Sequence, residues 1–195
     1  MRRRTFDLLV SWVGVLLTVV LVVGGGVLFA GYKYANTNVT EQLQAQNIFF
    51  PKAGDEQFTD PRIGPYIERY AGQQLVNGAQ AKAYADHYIA VHLEGIGGGQ
   101  TYSEASAASR ADPENAELAG LVQTLFRGET LRGLLLNAYA FWVFGQIALW
   151  AAFGAWVAAA ILAILTVLGF MHAQRVPPEV EIAAPKGAKE LAAVS

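Results

Sequence analysis

Residues 134–171 form a run of 38 positions without a single Asp, Glu, Lys or Arg, and a second apolar run, residues 8–31, lies near the N-terminus. A bilayer core about 30 Å thick needs roughly 20 apolar helical residues. Residues 8–31 supply 24, or about 36 Å of helix at 1.5 Å per residue. Only Ser11 and Thr18 interrupt a stretch dominated by Val, Leu and Gly. The run is too long for the core of a signal peptide, and Leu28-Phe29-Ala30 is a poor small-x-small cleavage pattern. Arg3-Arg4-Thr5-Phe6 only faintly echoes a twin-arginine export signal. The pattern predicts an all-α chain in which two transmembrane helices flank an extracytoplasmic helical domain.

Arg2, Arg3 and Arg4 precede the first run, with Asp7 at its threshold. The positive-inside rule puts that end in the cytoplasm. Two spans return the C-terminus to the same side, where His172 and Arg175 flank the second run. The expected location is the cell membrane, in a multi-pass, N-in/C-in topology. The expected division is a cytoplasmic N-terminus (1–7), a first transmembrane helix (8–31) and an extracytoplasmic helical domain (32–133). There follow an outward extension of the second helix (134–148), its transmembrane part (149–171) and a disordered, Pro-containing cytoplasmic tail (172–195).

That extension follows from length. Thirty-eight residues make a helix of about 57 Å, nearly twice the bilayer core. Tilt cannot absorb so large an excess. A hairpin turning near Gly154 lacks the Pro or polar cluster of a turn. The extension carries Tyr139, Phe141, Trp142 and Phe144, which are expected to pack against the outer domain or a partner. Trp150 suits the outer interface, and Trp156 falls inside the core.

Small residues recur on the second helix. Ala151, Ala155, Ala159 and Ala163 are four apart, and Gly154–Ala158 forms a parallel row. Such ridges let helix backbones approach closely in lipid, and the first run offers Gly24, Gly25 and Gly26, with Gly31 beyond. The expected partners are the lipid bilayer and, through the second helix, the chain's own first span, a second copy or another membrane protein.

The region between the runs holds eight Lys and Arg against twelve Asp and Glu across residues 33–132. It has no basic stripe to track a phosphate backbone, which argues against nucleic acid. The chain has no cysteine, which excludes disulfides, thiolate metal sites and cysteine nucleophiles. Residues 33–46 are polar, with Asn, Thr and Gln prominent, and Thr40 lacks the acidic partner of a capping box. Residues 52–65, with two Gly and two Pro, read as loop. Ala79–Glu94 has helical periodicity, and Gly95–Gly99 ends it. Thr101-Tyr102-Ser103-Glu104 is spaced as a capping box. Asp112-Pro113 reads as the cap and first position of a further helix, with Arg127–Thr130 interrupting it before the second apolar run. Strand signals are absent.

Chemistry is sparse. Gly95–Gly99 lacks the Gly-Lys-Ser/Thr ending of a phosphate loop, and Ser103, Ser106 and Ser109 lack a nucleophile elbow. No catalytic residue and no cofactor motif can be named. His87, His92 and Glu94 are the only cluster suited to a metal. In a regular α-helix the two histidines diverge by about 140°, so another element would have to complete the site. Ordinary packing of His92 above Tyr88 and Tyr84 competes with that reading.

Three stretches carry a resemblance: Asn47-Ile48-Phe49-Phe50-Pro51; Ala71-Gly72-Gln73-Gln74-Leu75 with Gly78 to His87; and Asn115 through Trp142. Together they resemble a group of small two-span membrane proteins from actinobacteria, a group without a settled biochemistry. The resemblance implies the two-span topology and a bacterial origin. Some members carry the label of aromatic ring-opening dioxygenase, which implies an iron site. Two function classes are therefore expected. One is a membrane accessory or scaffold protein that binds partners through the outer domain and second helix. The alternative is a membrane-anchored metal-dependent enzyme, or a ligand-binding domain, using His87, His92 and Glu94.

Overall fold

A computed structural model describes residues 2–177 and 179–182. Among these the chain is all-helical, with no strand and two isolated bridges, Phe49–Gln74 and Arg2–Glu181. The α-helices are α1 (Arg3–Ala45), α2 (Gly64–Ile67), α3 (Gly78–Ala83), α4 (Ala90–Gly97), α5 (Tyr102–Ala111) and α6 (Ala116–Arg175). A π turn, Tyr84–Ile89, joins α3 to α4 without a break. Helices α1 and α6 contain 43 and 60 residues, about 64 and 90 Å of helix. Each includes a stretch long and apolar enough to cross a membrane.

Both long helices overrun the limits expected from sequence. Helix α1 continues through the polar residues 33–45 and ends at Ala45, two residues before Asn47, whose positive φ of 54° is a common left-handed stop. Helix α6 is capped by Asn115, whose side chain accepts from the Leu118 N–H at 3.0 Å. Asp112 instead ends α5, which corrects the expected start at Asp112-Pro113. The expected interruption at Arg127–Thr130 does not occur, because Gly128 is a contact point and not a stop: a Cβ there would overlap Leu93. At the far end α6 reaches Arg175, four residues into the tail expected to be disordered. Residues 178 and 183–195 of that tail lie outside the described residues.

The contacts divide the chain into two units, Met1–Ala30 with Ala148–Ser195, and Gly31–Ile147. In the first unit the α1 and α6 segments run antiparallel. Gly14 faces Thr166, Ser11 faces Gly169 and Gly25 faces Trp156, each too close to admit a Cβ on the glycine. The Trp156 indole N–H donates to the Val22 carbonyl at 3.4 Å, and its ring lies 5.7 Å from that of Phe29. Trp12 and Phe170 meet edge-on at 5.7 Å.

The buried positions of this α6 segment are Ala152, Ala159, Thr166 and Ala173, seven apart. A seven-residue step drifts only about 20° around a helix, whereas a four-residue step drifts about 40°. The four-residue alanine row therefore winds off the contact. Ala159 is buried, Ala155 and Ala163 are half-buried, and Ala151 is exposed. Of the glycines expected to pack, Gly25 does so, while Gly24, Gly26 and Gly31 have nothing within reach of a Cβ.

The second unit is a helical domain with its own core. Leu43, Phe50, Ile67, Leu75, Leu93 and Leu125 lie at its centre. Asn77 caps α3 by accepting from the Gln80 N–H at 2.9 Å. Gly98, at φ 57°, ends α4 in the left-handed conformation. The Thr101–Glu104 capping box forms as its spacing predicts. The helical run from Gly78 to Gly97 is pinned to α6 at two points: Gly78 against Trp142, and Leu93 against Gly128. Along α6 these anchors are 14 residues apart, about 21 Å; along a regular helix from 78 to 93 they would be about 22.5 Å apart. The π turn between them takes up one extra residue, with the Ala90 N–H reaching back to the Ala85 carbonyl.

Gly78→Ala should therefore lower stability by about 1–3 kcal/mol, because the Cβ and Cγ of Trp142 cannot swing aside. A thermal melt of the detergent-solubilised full chain, followed by circular dichroism, measures it; an unchanged midpoint would refute this packing.

Candidate functional site

Helix α6 splits the aromatic residues of its 134–148 stretch between two faces. Trp142 packs against the domain core, and Tyr139 lies under the Lys82 ammonium at 5.3 Å. Leu134, Asn137, Phe141 and Phe144 follow a 3-4-3 spacing along the other face, with Ile147 at its edge. Leu134 is 62% exposed, Phe141 43%, Phe144 68% and Ile147 58%. This unpaired apolar face borders a groove of about 360 Å³ between α6 and α1. The α6 bank is mainly apolar, with Leu131, Leu134 and Phe141 beside the amide of Asn137. The α1 bank carries the amides of Asn38, Gln42 and Gln46, and buried Val39, Leu43 and Leu135 lie beneath. One bank can exchange hydrogen bonds and the other can cover apolar side chains, a combination typical of protein-binding grooves.

The histidine cluster lies elsewhere on the same domain. The His87 ring stacks flat on Tyr66, with centroids 3.6 Å apart and planes 3° apart. Its Nδ1 is 3.3 Å from the Arg62 carbonyl. His92 Nδ1 donates to the Tyr88 carbonyl at 2.7 Å, and its ring lies 4.4 Å from that of Tyr88. Glu94 pairs with Arg62 at 3.3 Å. Arg62 also grips Asp60 through two nitrogens, at 2.9 and 3.2 Å. This fork, aided by the Arg62 backbone N–H, holds the Asp60 carboxyl below its usual range and raises the guanidinium. A guanidinium thus lies where sequence reasoning places a metal. Among the described residues no three His, Asp or Glu side chains gather as a metal-holding group.

A second charged set runs along α3, the π turn and α6. Asp86 pairs with Lys82 and, at 3.6 Å, with Arg132, which also meets Glu129 at 3.3 Å. The hydrogen bond from Lys82 to Asp86 raises the ammonium above its ordinary value. Arg132 and Glu129 are thus part of the domain's own pairing, with Arg132 Nε buried and unpartnered.

Sequence reasoning finds Phe141 and Phe144 from their aromatic run and misses the amide bank. The polarity of residues 33–46 was its available signal, but only the pairing of α1 with α6 turns that polarity toward an apolar wall. Arg62 was also missed, since it lies in a loop far from the histidines in sequence. The chain matches no protein-family model, no curated protein and no solved structure.

Two outcomes check this geometry. His87→Ala should cost about 0.5–1.5 kcal/mol from the lost stack, and His87→Phe should recover most of it. Equal loss in both variants, read from thermal melts, would exclude stacking as the role of His87. Burial, helped by nearby Tyr88, pushes the Tyr84 phenol up to about 12. A phenol raised in the fold stabilises it fully below the unfolded value near 10, and that contribution is lost as pH rises from there through about 12. Tyr84→Phe should therefore leave the 295 nm absorbance change below pH 11 unaltered; a smaller change would show that Tyr84 ionises earlier.

Proposed function

We propose that the protein is an integral membrane accessory or scaffold protein that holds a segment of another membrane protein against its outer domain. In this reading residues 8–31 and 149–171 cross the cell membrane. Both termini are cytoplasmic, residues 32–133 form the extracytoplasmic domain, and residues 134–148 carry α6 outward. The triple arginine before the first span supports the orientation. Three stretches that resemble small two-span actinobacterial proteins agree with it.

One observation carries the proposal. Leu134, Phe141, Phe144 and Ile147 stay exposed on a stretch of α6 that lies alongside polar α1 residues, with Gly145 against Ala35. The neighbouring polar stretch, which includes Lys33 and Glu41, favours water over hydrocarbon. A row of large apolar side chains outside the bilayer is an interaction surface. The amide bank adds hydrogen-bonding capacity that lipid tails would not use. The metal-dependent alternative has less support, because Arg62 already neutralises Glu94 and each histidine has a local aromatic and carbonyl partner.

Photo-crosslinking groups placed at Phe141 and Phe144 in intact membranes test this reading. The expected result is a discrete set of protein adducts. Phe141→Asp should weaken capture from the Phe144 position on the order of tenfold or more. Adducts with lipid alone at both positions, together with a monomeric particle free of other proteins in mild detergent, would overturn the proposal.

A further inference from the structure

The first unit contains a mainly apolar notch that partner binding through α6 does not use. Asp7 projects into it from α1, and its Oδ2 is buried without a hydrogen-bond partner. His172 Nε2 on α6 lies 3.8 Å away, beyond hydrogen-bonding range. Among the described residues no Lys or Arg nitrogen pairs with Asp7. The Ser11 hydroxyl is committed to the Asp7 backbone carbonyl at 2.7 Å, so it does not serve the carboxylate. Beside Asp7 opens a cavity of about 300 Å³, walled on its apolar side by Val10, Leu162 and Leu165.

A buried carboxylate oxygen without a donor is costly, and a charged N–H donor relieves it best. One carboxylate among apolar walls is a poor shell for a divalent metal, which takes six or more oxygens. The notch thus offers an unpartnered carboxylate oxygen with an apolar wall alongside. That pattern complements an amphiphile that carries a primary ammonium at the head of an acyl chain.

We infer that the notch binds the headgroup of an aminophospholipid from the adjacent leaflet, its ammonium on the Asp7 carboxylate and its acyl chain along the apolar wall. The inference rests on the proposed span at residues 8–31, which sets Asp7 at headgroup level. The lipid is favoured over a soluble amine by the apolar wall.

The full chain, reconstituted in vesicles of equal parts phosphatidylethanolamine, phosphatidylcholine and phosphatidylglycerol, provides the test by native mass spectrometry of retained lipid. Wild-type protein should retain the ethanolamine lipid over the choline lipid on the order of fivefold, because choline has charge but no N–H. Asp7→Asn should bring that ratio to about one. If this variant fails to insert, N-methyl and N,N-dimethyl ethanolamine lipids provide a second measure on wild-type protein, with retention falling as each N–H is lost. Equal retention of ethanolamine and choline lipids by wild type, or an unchanged preference in Asp7→Asn, overturns the inference. Soluble phosphoethanolamine bound as tightly as the lipid overturns the lipid assignment. Alkaline carbonate extraction examines the span separately: release of the protein from membranes would refute the span itself, whatever the headgroup result.

Discussion

Close approach of helices at glycine is the constraint on which both units depend. In the unit formed by Gly31–Ile147, Gly78 admits Trp142 and Gly128 admits Leu93. These two contacts fix the helical run from Gly78 to Gly97 against α6. Its π turn, its buried Ile89 and Leu93, and the alignment of Lys82 and Asp86 with Tyr139 and Arg132 all follow from that docking. In the other unit Gly14, Gly25 and Gly169 serve the same purpose, with Thr166, Trp156 and Ser11 as the opposing groups. Between such apolar helices burial gives no directional preference, so the shape of the small residues decides which faces meet.

The polar residues of the domain are largely occupied in holding it together. Arg62 ties a loop to α4 through Asp60 and Glu94, and its carbonyl meets His87. These pairs are exposed, so each contributes little to stability; their consequence is positional. They leave the histidine side of the domain electrostatically paired. Among the described residues the face that lacks a partner is the apolar one, along Leu134, Phe141 and Phe144, and the functional proposal follows from that contrast.

Much of the architecture is legible in the chain because its signals are local. The apolar runs announce two long helices, since an unbroken hydrophobic sequence without Pro supports continuous backbone pairing. The Thr101–Glu104 box and the Gly95–Gly99 stop act within one turn, and both form as read. Readings that depended on distant groups fared differently. Gly128 resembles a helix breaker until Leu93 is seen against it. Asp112-Pro113 resembles a helix start, but Asn115 makes the cap. The alanine row at four-residue spacing resembles a contact ridge, and of its members Ala159 is buried within the chain, on a face whose buried positions recur every seven residues.

By itself, then, the sequence determined the all-helical class, the two long apolar elements and the local caps, because each rests on interactions within a few residues. Tertiary structure decided which residues of those elements face one another. It turned Asn38, Gln42 and Gln46 toward an apolar wall, separated Trp142 from Phe141, and brought Asp7 beside His172 across most of the chain length. None of these has a local signature, since a helical pattern specifies a face but not what the face will meet. The two apolar runs are unequal for that reason: one segment of α6 finds a glycine-lined partner helix, while its 134–148 stretch keeps an apolar face that nothing among the described residues covers.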